Sequence, residues 1–217
     1  EGPCRLQGEV TVPGAKNSIS KLITASMLTD KPCEYSNVPS IADTADTLNI
    51  CRALGTHFEM PGARLLQVRT SSVTNSEVPA TMALKNRLSV MMLAPLLHRT
   101  GEAIIHAAGG DRIGVRPVDF HLEAYQQMGA DVQVVDEVYH VRSQRLRGAE
   151  ITLPYPSVSA TENILLAAVL AKGRTYIRNA AIEPEIIDLA LYLQKMGAII
   201  DQQVDRTYVI EGVRTLT

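Results

Sequence analysis

The chain carries one supersecondary pattern three times, and a threefold internal repeat restricts the fold more than any composition value does. The segments ALGTHFE (53–59), QMGADVQ (127–133) and KMGAIID (195–201) share a hydrophobic residue, a glycine, a small residue and then a strand-like run. Their glycines, Gly55, Gly129 and Gly197, stand 74 and 68 residues apart. Each suits the left-handed position that ends a helix before a strand begins.

An amphipathic helix is predicted ahead of each glycine. Ile41, Ala45, Leu48 and Cys51 follow i, i+4, i+7, i+10 spacing, as do Val118, Leu122, Tyr125 and Met128. Ile186, Leu189, Leu193 and Met196 form the third stripe, its first step shortened to three. Such stripes describe helices lying with one face on a core. Pro39, Pro117 and Pro184 sit near the N-terminal ends, where the ring is tolerated.

A second kind of helix opens each repeat. SISKLITASML (18–28), LSVMMLAPLLH (88–98) and ENILLAAVLAK (162–172) are apolar on nearly every side, which predicts three helices packed together in the centre. Strands are expected after both kinds: PCEYSNV, EAIIHAA and RTYIRNA after the buried set, and paired runs such as THFEMPGARLLQV and AIIDQQVDRTYVIEG after the glycines. The unit read from the residues is buried helix, strand, amphipathic helix, strand, turn, strand. Three copies make an α/β domain with pseudo-threefold symmetry and apolar helices inside.

At 217 residues the chain can bury a sizeable core, and its 46% hydrophobic and 20% charged residues are those of a folded protein. A net charge of −2 gives no global field for nucleic acid or a membrane surface. With no tryptophan and 4% aromatic residues, base stacking on aromatic platforms is not expected. Cys4, Cys33 and Cys51 are odd in number and widely separated, and no metal spacing or disulfide framework emerges from them; reduced cysteines and a cytoplasmic location are expected.

The polar chemistry collects where the buried helices start: Lys16 and Asn17, Asn86 and Arg87, Thr161 and Glu162. Helix N-termini present unpaired N–H groups and partial positive charge, so converging ends with Lys16 and Arg87 make a seat for phosphate or carboxylate. The loop GGDRIGVRPVDFH (109–121) adds Gly109, Gly110 and Gly114, the planar cations Arg112 and Arg116, and a carboxyl, Asp111. Pro117, Val118 and Asp119 then begin a helix. PYPSVSATEN (154–163) offers Ser157, Ser159 and the amides ahead of the third buried helix. No order of Ser, His and Asp, no HExxH and no GxxxxGK[ST] occurs, so hydrolase triads, zincins and P-loops find no support.

LQGEVTVPGAKN (6–17), GGDRIGVRPVDFH (109–121), PSVSATENILLAAVLAKG (156–173) and NAAIEPEIIDLALYLQKMGA (179–198) resemble the UDP-N-acetylglucosamine 1-carboxyvinyltransferases, enolpyruvyl transferases of peptidoglycan precursor synthesis. The resemblance implies an inside-out α/β barrel domain of three βαβαββ-type repeats, here roughly 16–80, 81–152 and 153–217. It implies a second domain that this chain lacks, and an isolated half that is inactive alone. It further implies transfer of the enolpyruvyl group of phosphoenolpyruvate to the 3-hydroxyl of UDP-N-acetylglucosamine, with phosphate released and no metal or other cofactor.

On that resemblance Lys16 contacts phosphoenolpyruvate, Asn17 the amino sugar, and Arg87 lies near the sugar. Arg116 binds the phosphoenolpyruvate phosphate. Pro117, Val118, Asp119 and Phe120 border the uridine, and Ser157, Val158 and Ser159 approach the uracil and diphosphate. Asp111 stands where most relatives have the cysteine that fosfomycin alkylates, so insensitivity to that drug is expected. A protonated Asp111 could do the same acid work; loop closure would raise its pKa, whereas Arg112 and Arg116 would lower it. Tyr155 replaces a lysine common near the diphosphate, and Ser159 replaces a glycine. Two alternatives stand beside this reading: the related 3-phosphoshikimate 1-carboxyvinyltransferases, which the GAKN and RPVD motifs disfavour, and a non-catalytic nucleotide-sugar-binding module.

Overall fold

The computed structural model describes residues 7–84, 87–106 and 118–217. Three sheets, antiparallel except for one short edge strand, surround a bundle of helices. The first unit is α1 (Lys16–Ser26), β1 (Cys33–Tyr35), α2 (Ala42–Ala53), β2 (His57–Gly62) and β3 (Leu65–Arg69), and its sheet runs β1-β3-β2. A short α3 (Ala80–Ala83) and the 3-10 turn Arg87–Met92 lead into α4 (Leu93–Thr100). The second unit continues with β4 (Glu102–His106), α5 (Asp119–Gln127), β5 (Asp131–Val135) and β6 (Val138–Arg142), again with the last strand central. The third comprises β7 (Glu150–Thr152), α6 (Val158–Ala168), β8 (Arg174–Arg178), α7 (Pro184–Lys195), β9 (Ile199–Gln202) and β10 (Tyr208–Glu211), ordered β7-β8-β10-β9.

The helices called buried are the centre of the molecule. In α6 every residue from Ala160 to Ala168 is buried, and Leu93 to Leu97 of α4 and Ile23 to Ser26 of α1 are buried with them. The middle one departs from the expected single α-helix. Pro95 has no N–H to give the carbonyl four residues earlier, so regular α-helix begins only at Leu93, where the proline lies in the first turn, and the preceding residues wind as 3-10.

Two of the three amphipathic stripes face inward as read, with Val118, Leu122, Tyr125 and Met128 buried on α5 and Ile186, Leu189, Leu193 and Met196 on α7. On α2 the stripe is turned: Ala45 is exposed and Thr44, Thr47, Leu48 and Cys51 are buried. The threonines tolerate burial because Thr44 donates to the Pro39 carbonyl at 3.1 Å and Thr47 to the Asp43 carbonyl at 2.7 Å. Gly55, Gly129 and Gly197 follow α2, α5 and α7 with φ of 112°, 86° and 100°. At Gly55 a Cβ would also meet the Ser72 carbonyl oxygen at 2.6 Å, so no side chain fits.

β7 is absent from the unit read off the residues, although the βαβαββ formula includes such a strand. Only three residues long, it pairs in parallel with β8. The second unit has a one-residue counterpart, a parallel bridge between Glu77 and Ile104. Strands this short leave no alternation to detect.

The C-terminal ends of the central helices are fastened together. Arg99 donates through Nη1 to the carbonyls of Met27 and Thr29, at 3.0 and 2.9 Å, and through Nη2 to those of Thr70 and Ser71, each at 3.0 Å. His98 Nε2 donates to the Ala167 carbonyl at 2.8 Å, tying α4 to α6. Burial drives the His98 pKa down to about 4, so the ring is neutral at pH 7. Substituting Arg99→Met keeps the stem but deprives four carbonyls of a charged donor. The expected loss is about 3 kcal/mol of unfolding free energy, and denaturant titration of variant against parent would measure it.

Candidate functional site

At the opposite pole the N-terminal parts of α1, α6 and the 3-10 turn lie side by side. Lys21, one turn into α1, places Nζ 3.5 Å from Oε1 of Glu162 on α6. Asn163 of α6 donates from Nδ2 to the Val90 carbonyl of the 3-10 turn at 2.9 Å. Thus the helix starts that bear the expected polar residues do gather at one face.

On the α1 side, Lys16 and Asn17 are exposed. Lys16 Nζ lies 3.3 Å from Asp43, an exposed ion pair worth little in water and easily given up to a ligand. Asn17 donates from Nδ2 to Glu185 at 3.0 Å, and Ser18 donates to Asp188 at 2.6 Å, so α1 leans on the first turns of α7. Lys21 runs back toward the helix start and donates to the Asn17 carbonyl at 2.7 Å. That direction is the usual one for long side chains on a helix.

On the α6 side, Ser157 is the N-cap and its hydroxyl accepts from the Ala160 N–H at 3.4 Å. Thr161 donates to the Ser157 carbonyl at 2.8 Å and accepts from the Ala181 N–H at 3.0 Å. Val158 is half-buried and Ser159 exposed, on the first turn. The neighbouring α5 brings Phe120, whose ring meets Tyr155 edge-on with centroids 5.2 Å apart. Asp119 is exposed at the start of α5, while the Val118 side chain belongs to the core, leaving only its backbone available to a ligand.

A buried polar chain underlies this edge. Tyr125 donates to Asn163 Oδ1 at 2.7 Å, and the Asn163 amide, already donating to Val90, also donates to His121 Nδ1 at 2.9 Å. Nδ1 is therefore the unprotonated nitrogen, and Nε2–H donates to Ser159 Oγ at 3.2 Å. Ser159 accepts there and keeps its own proton for another partner. Burial, with the nearby Arg87 cation, pushes the His121 pKa down to about 4.

Glu162 is the opposite case. It is fully buried, and neither carboxylate oxygen has a hydrogen-bond donor. Burial raises its pKa to about 7; Lys21 opposes the rise, and Glu185 and Glu183 on the α7 side add to it.

Of the expected site residues, the structure brings Lys16, Asn17, Arg87, Asp119, Phe120, Ser157, Val158 and Ser159 around these helix starts. Asp111, Arg116 and Pro117, with Asn86 and Arg112, lie outside the described residues. Sequence reading missed Lys21, His121, Asn163 and Glu185. Lys21 and Glu162 left a trace, as charged residues inside otherwise apolar helices. Among the described residues no cluster of three or more His, Cys, Asp or Glu side chains is placed to hold a metal, and no helix is long and apolar enough to cross a membrane. A cavity of about 410 Å³ opens between α1, β1 and α7, lined by Ser18, Tyr35, Asn37, Asp188, Tyr192 and Lys195 among others.

The family model for EPSP synthase (3-phosphoshikimate 1-carboxyvinyltransferase) matches residues 1–217. The chain belongs to the EPSP synthase family. Within that family its sequence relatives carry another acceptor in their name. The UDP-N-acetylglucosamine 1-carboxyvinyltransferase of Protochlamydia amoebophila is 44% identical over 98% of this chain and 47% of its own length. That of Chlamydia abortus is 46% identical over 97% and 48%. The chain spans about half the length of the curated relatives it matches. Among solved structures, the enolpyruvyl transferase NikO from Streptomyces tendae superposes with a TM-score of 0.84 at 26% identity, covering 98% of this chain and 50% of that one. EPSP synthase from Acinetobacter baumannii shares the fold at a TM-score of 0.78, with 19% identity over 97% and 48%. The inside-out arrangement of three sheets around apolar helices is thus the enolpyruvyl transferase fold.

Each of the two buried histidines contributes a share of stability that is lost on acidification. Their folded pKa values lie below the ordinary 6.5, so the unfolded chain binds more protons between pH 6.5 and 4. The contribution of the two rings to unfolding free energy should fall as pH drops through that window, by about 1–3 kcal/mol for each, while Glu162, its pKa raised to about 7, contributes in the opposite direction between pH 7 and 4.5. His121→Asn should flatten the slope, and denaturant titrations at stepped pH would read the difference.

Proposed function

We propose that this chain is one half of a UDP-N-acetylglucosamine 1-carboxyvinyltransferase. The whole enzyme transfers the enolpyruvyl group of phosphoenolpyruvate to the 3-hydroxyl of the amino sugar and releases phosphate, in the cytoplasm, as a step of peptidoglycan precursor synthesis. What carries the reading is identity of 42–46% to proteins of that name, spread along nearly the entire chain. Identity to the solved EPSP synthase is 19%, which disfavours shikimate 3-phosphate as the acceptor.

The helix starts suit this chemistry. The substrates bring a diphosphate, a phosphate and a carboxylate, and the addition intermediate is tetrahedral and anionic. Fixed cations and helix N-termini set around it lower the barrier because they need no reorganisation when charge develops. In this reading Lys16 and Arg116 receive phosphoenolpyruvate, and Asn17 and Arg87 receive the sugar. Pro117, Val118, Asp119 and Phe120 border the uridine, and Ser157, Val158 and Ser159 meet the uracil and diphosphate. Ser159 meets its ligand with its proton free to donate, since its hydroxyl accepts from His121. Asp111 is the acid, in place of the usual cysteine. The three repeats act as one domain, and the partner for catalysis is a second domain of the same enzyme.

NMR amide shifts of the chain, titrated to millimolar ligand, test the acceptor. Saturable shifts at Asp119, Phe120 and Ser157 to Ser159 are expected with UDP-N-acetylglucosamine and not with shikimate 3-phosphate. The reverse pattern would move the chain to the sister reaction. Incubation with fosfomycin should leave the intact mass unchanged, because the position of the alkylated cysteine is Asp111.

A further inference from the structure

We propose that Lys21 and Glu162 form a positioning pair that fixes Asn17 at the start of α1, and through it the amino-sugar end of the site. The inference deepens the proposed function and rests on it for the identity of the ligand. The chain of contacts is short. Glu162 lies wholly inside the protein on α6, with the Lys21 ammonium 3.5 Å from Oε1. Lys21 in turn donates to the Asn17 carbonyl at 2.7 Å, and the Asn17 side-chain amide donates to Glu185 at 3.0 Å. Asn17 is thereby held at both its backbone and its side chain.

As a stabilising device the pair is poor. The carboxylate has left water with no well-formed hydrogen bond to either oxygen, and Lys21 stands 3.5 Å off, at the limit of hydrogen-bond reach. Uncharged groups of the same shape would bury at lower cost. Glu183 and Glu185 at the start of α7 add like charge on the same side, while among the described residues Lys21 on α1 is the cation that opposes it. The burial cost is opposed by an organised cation at the first turn of α1. The side chain of Lys21 is only 15% exposed, so its ammonium cannot swing into solvent without leaving Glu162 unpaired.

A positioning role and a merely structural one predict opposite signs. The folded pKa of Glu162 stands above its ordinary value, at about 7, so the folded chain binds more protons between pH 4.5 and 7 and stability is lost as pH rises through that range. Glu162→Gln removes the charge and keeps the shape. At pH 8 its melting temperature should therefore equal or exceed the parent's, while its dissociation constant for UDP-N-acetylglucosamine rises about threefold to tenfold, the equivalent of one good hydrogen bond. The backbone and side-chain amide signals of Asn17 should shift in the same variant. Lys21→Met alone leaves a buried carboxylate unpaired and could fail to fold, so the double variant Lys21→Met/Glu162→Gln accompanies it. Because the two residues act as one unit, the double variant should lose no more affinity than Glu162→Gln.

The experiment is NMR titration and thermal unfolding of the parent chain, Glu162→Gln and the double variant at pH 8. Asn17 signals that stay in place in folded Glu162→Gln overturn the proposal, whatever happens to stability or affinity. Shifted Asn17 signals with unchanged affinity also overturn it. Should the parent chain itself show no saturable shifts with UDP-N-acetylglucosamine, the proposed ligand fails for this half, and the Asn17 signals alone decide whether the pair positions that residue.

Discussion

Three helices apolar on nearly every side cannot lie open to water along their length, and the rest of the molecule follows from hiding them. Burying apolar surface yields about 25 cal/mol per Å², so α4 packs on α6, α1 joins them through the 3-10 turn, and the three sheets with their outer helices close around them. Only the helix ends remain for polar chemistry, and the two poles are treated differently. At the C-terminal pole Arg99 and His98 take up five carbonyls between them, and Thr29 donates to the Leu216 carbonyl at 2.7 Å. At the N-terminal pole, Ser157 alone among the caps of the three central helices supplies a side-chain acceptor. One end is sealed by protein groups. The other leaves most of its helix-start donors without a side-chain cap.

That asymmetry bears on how much of the molecule could be read from its residues. The repeat, the buried helices, the glycines that end α2, α5 and α7, and most strand pairs came from period and punctuation alone, because those signals recur within one short window. The α2 stripe was misread by one position because threonine counted as polar, although Thr44 and Thr47 bury their hydroxyls against carbonyls of their own segment. β7 was too short to show alternation. The polar helix starts were legible, since helix starts are visible in a sequence, but the wiring between them was not. His121 and Ser159 are 38 residues apart, and Asn17 and Glu185 are 168 apart. No local pattern encodes a contact across that distance; only the packing of α1, α5, α6 and α7 creates it.

The wiring makes α6 the shared wall of the site. Successive residues on a helix point about 100° apart, so Glu162 and Asn163 face different neighbours from the same turn. Asn163 looks toward α5 and the 3-10 turn, where all its donors and its acceptor are matched and His121 is held in one tautomer. Glu162 looks toward α1 and α7, where its oxygens are unmatched and Lys21 stands off at 3.5 Å. A satisfied network resists displacement, and an unsatisfied charge invites it. Anchored through Asn163, α6 holds Ser157 to Ser159 in one place. Through Glu162 the same rigid helix presents α1 with a fixed charge, against which Lys21 and then Asn17 are set. The two faces of a single turn thus reference α1 on one side and α5 with the 3-10 turn on the other to one element, which is how helices from three separate units are held in a fixed relation at this pole.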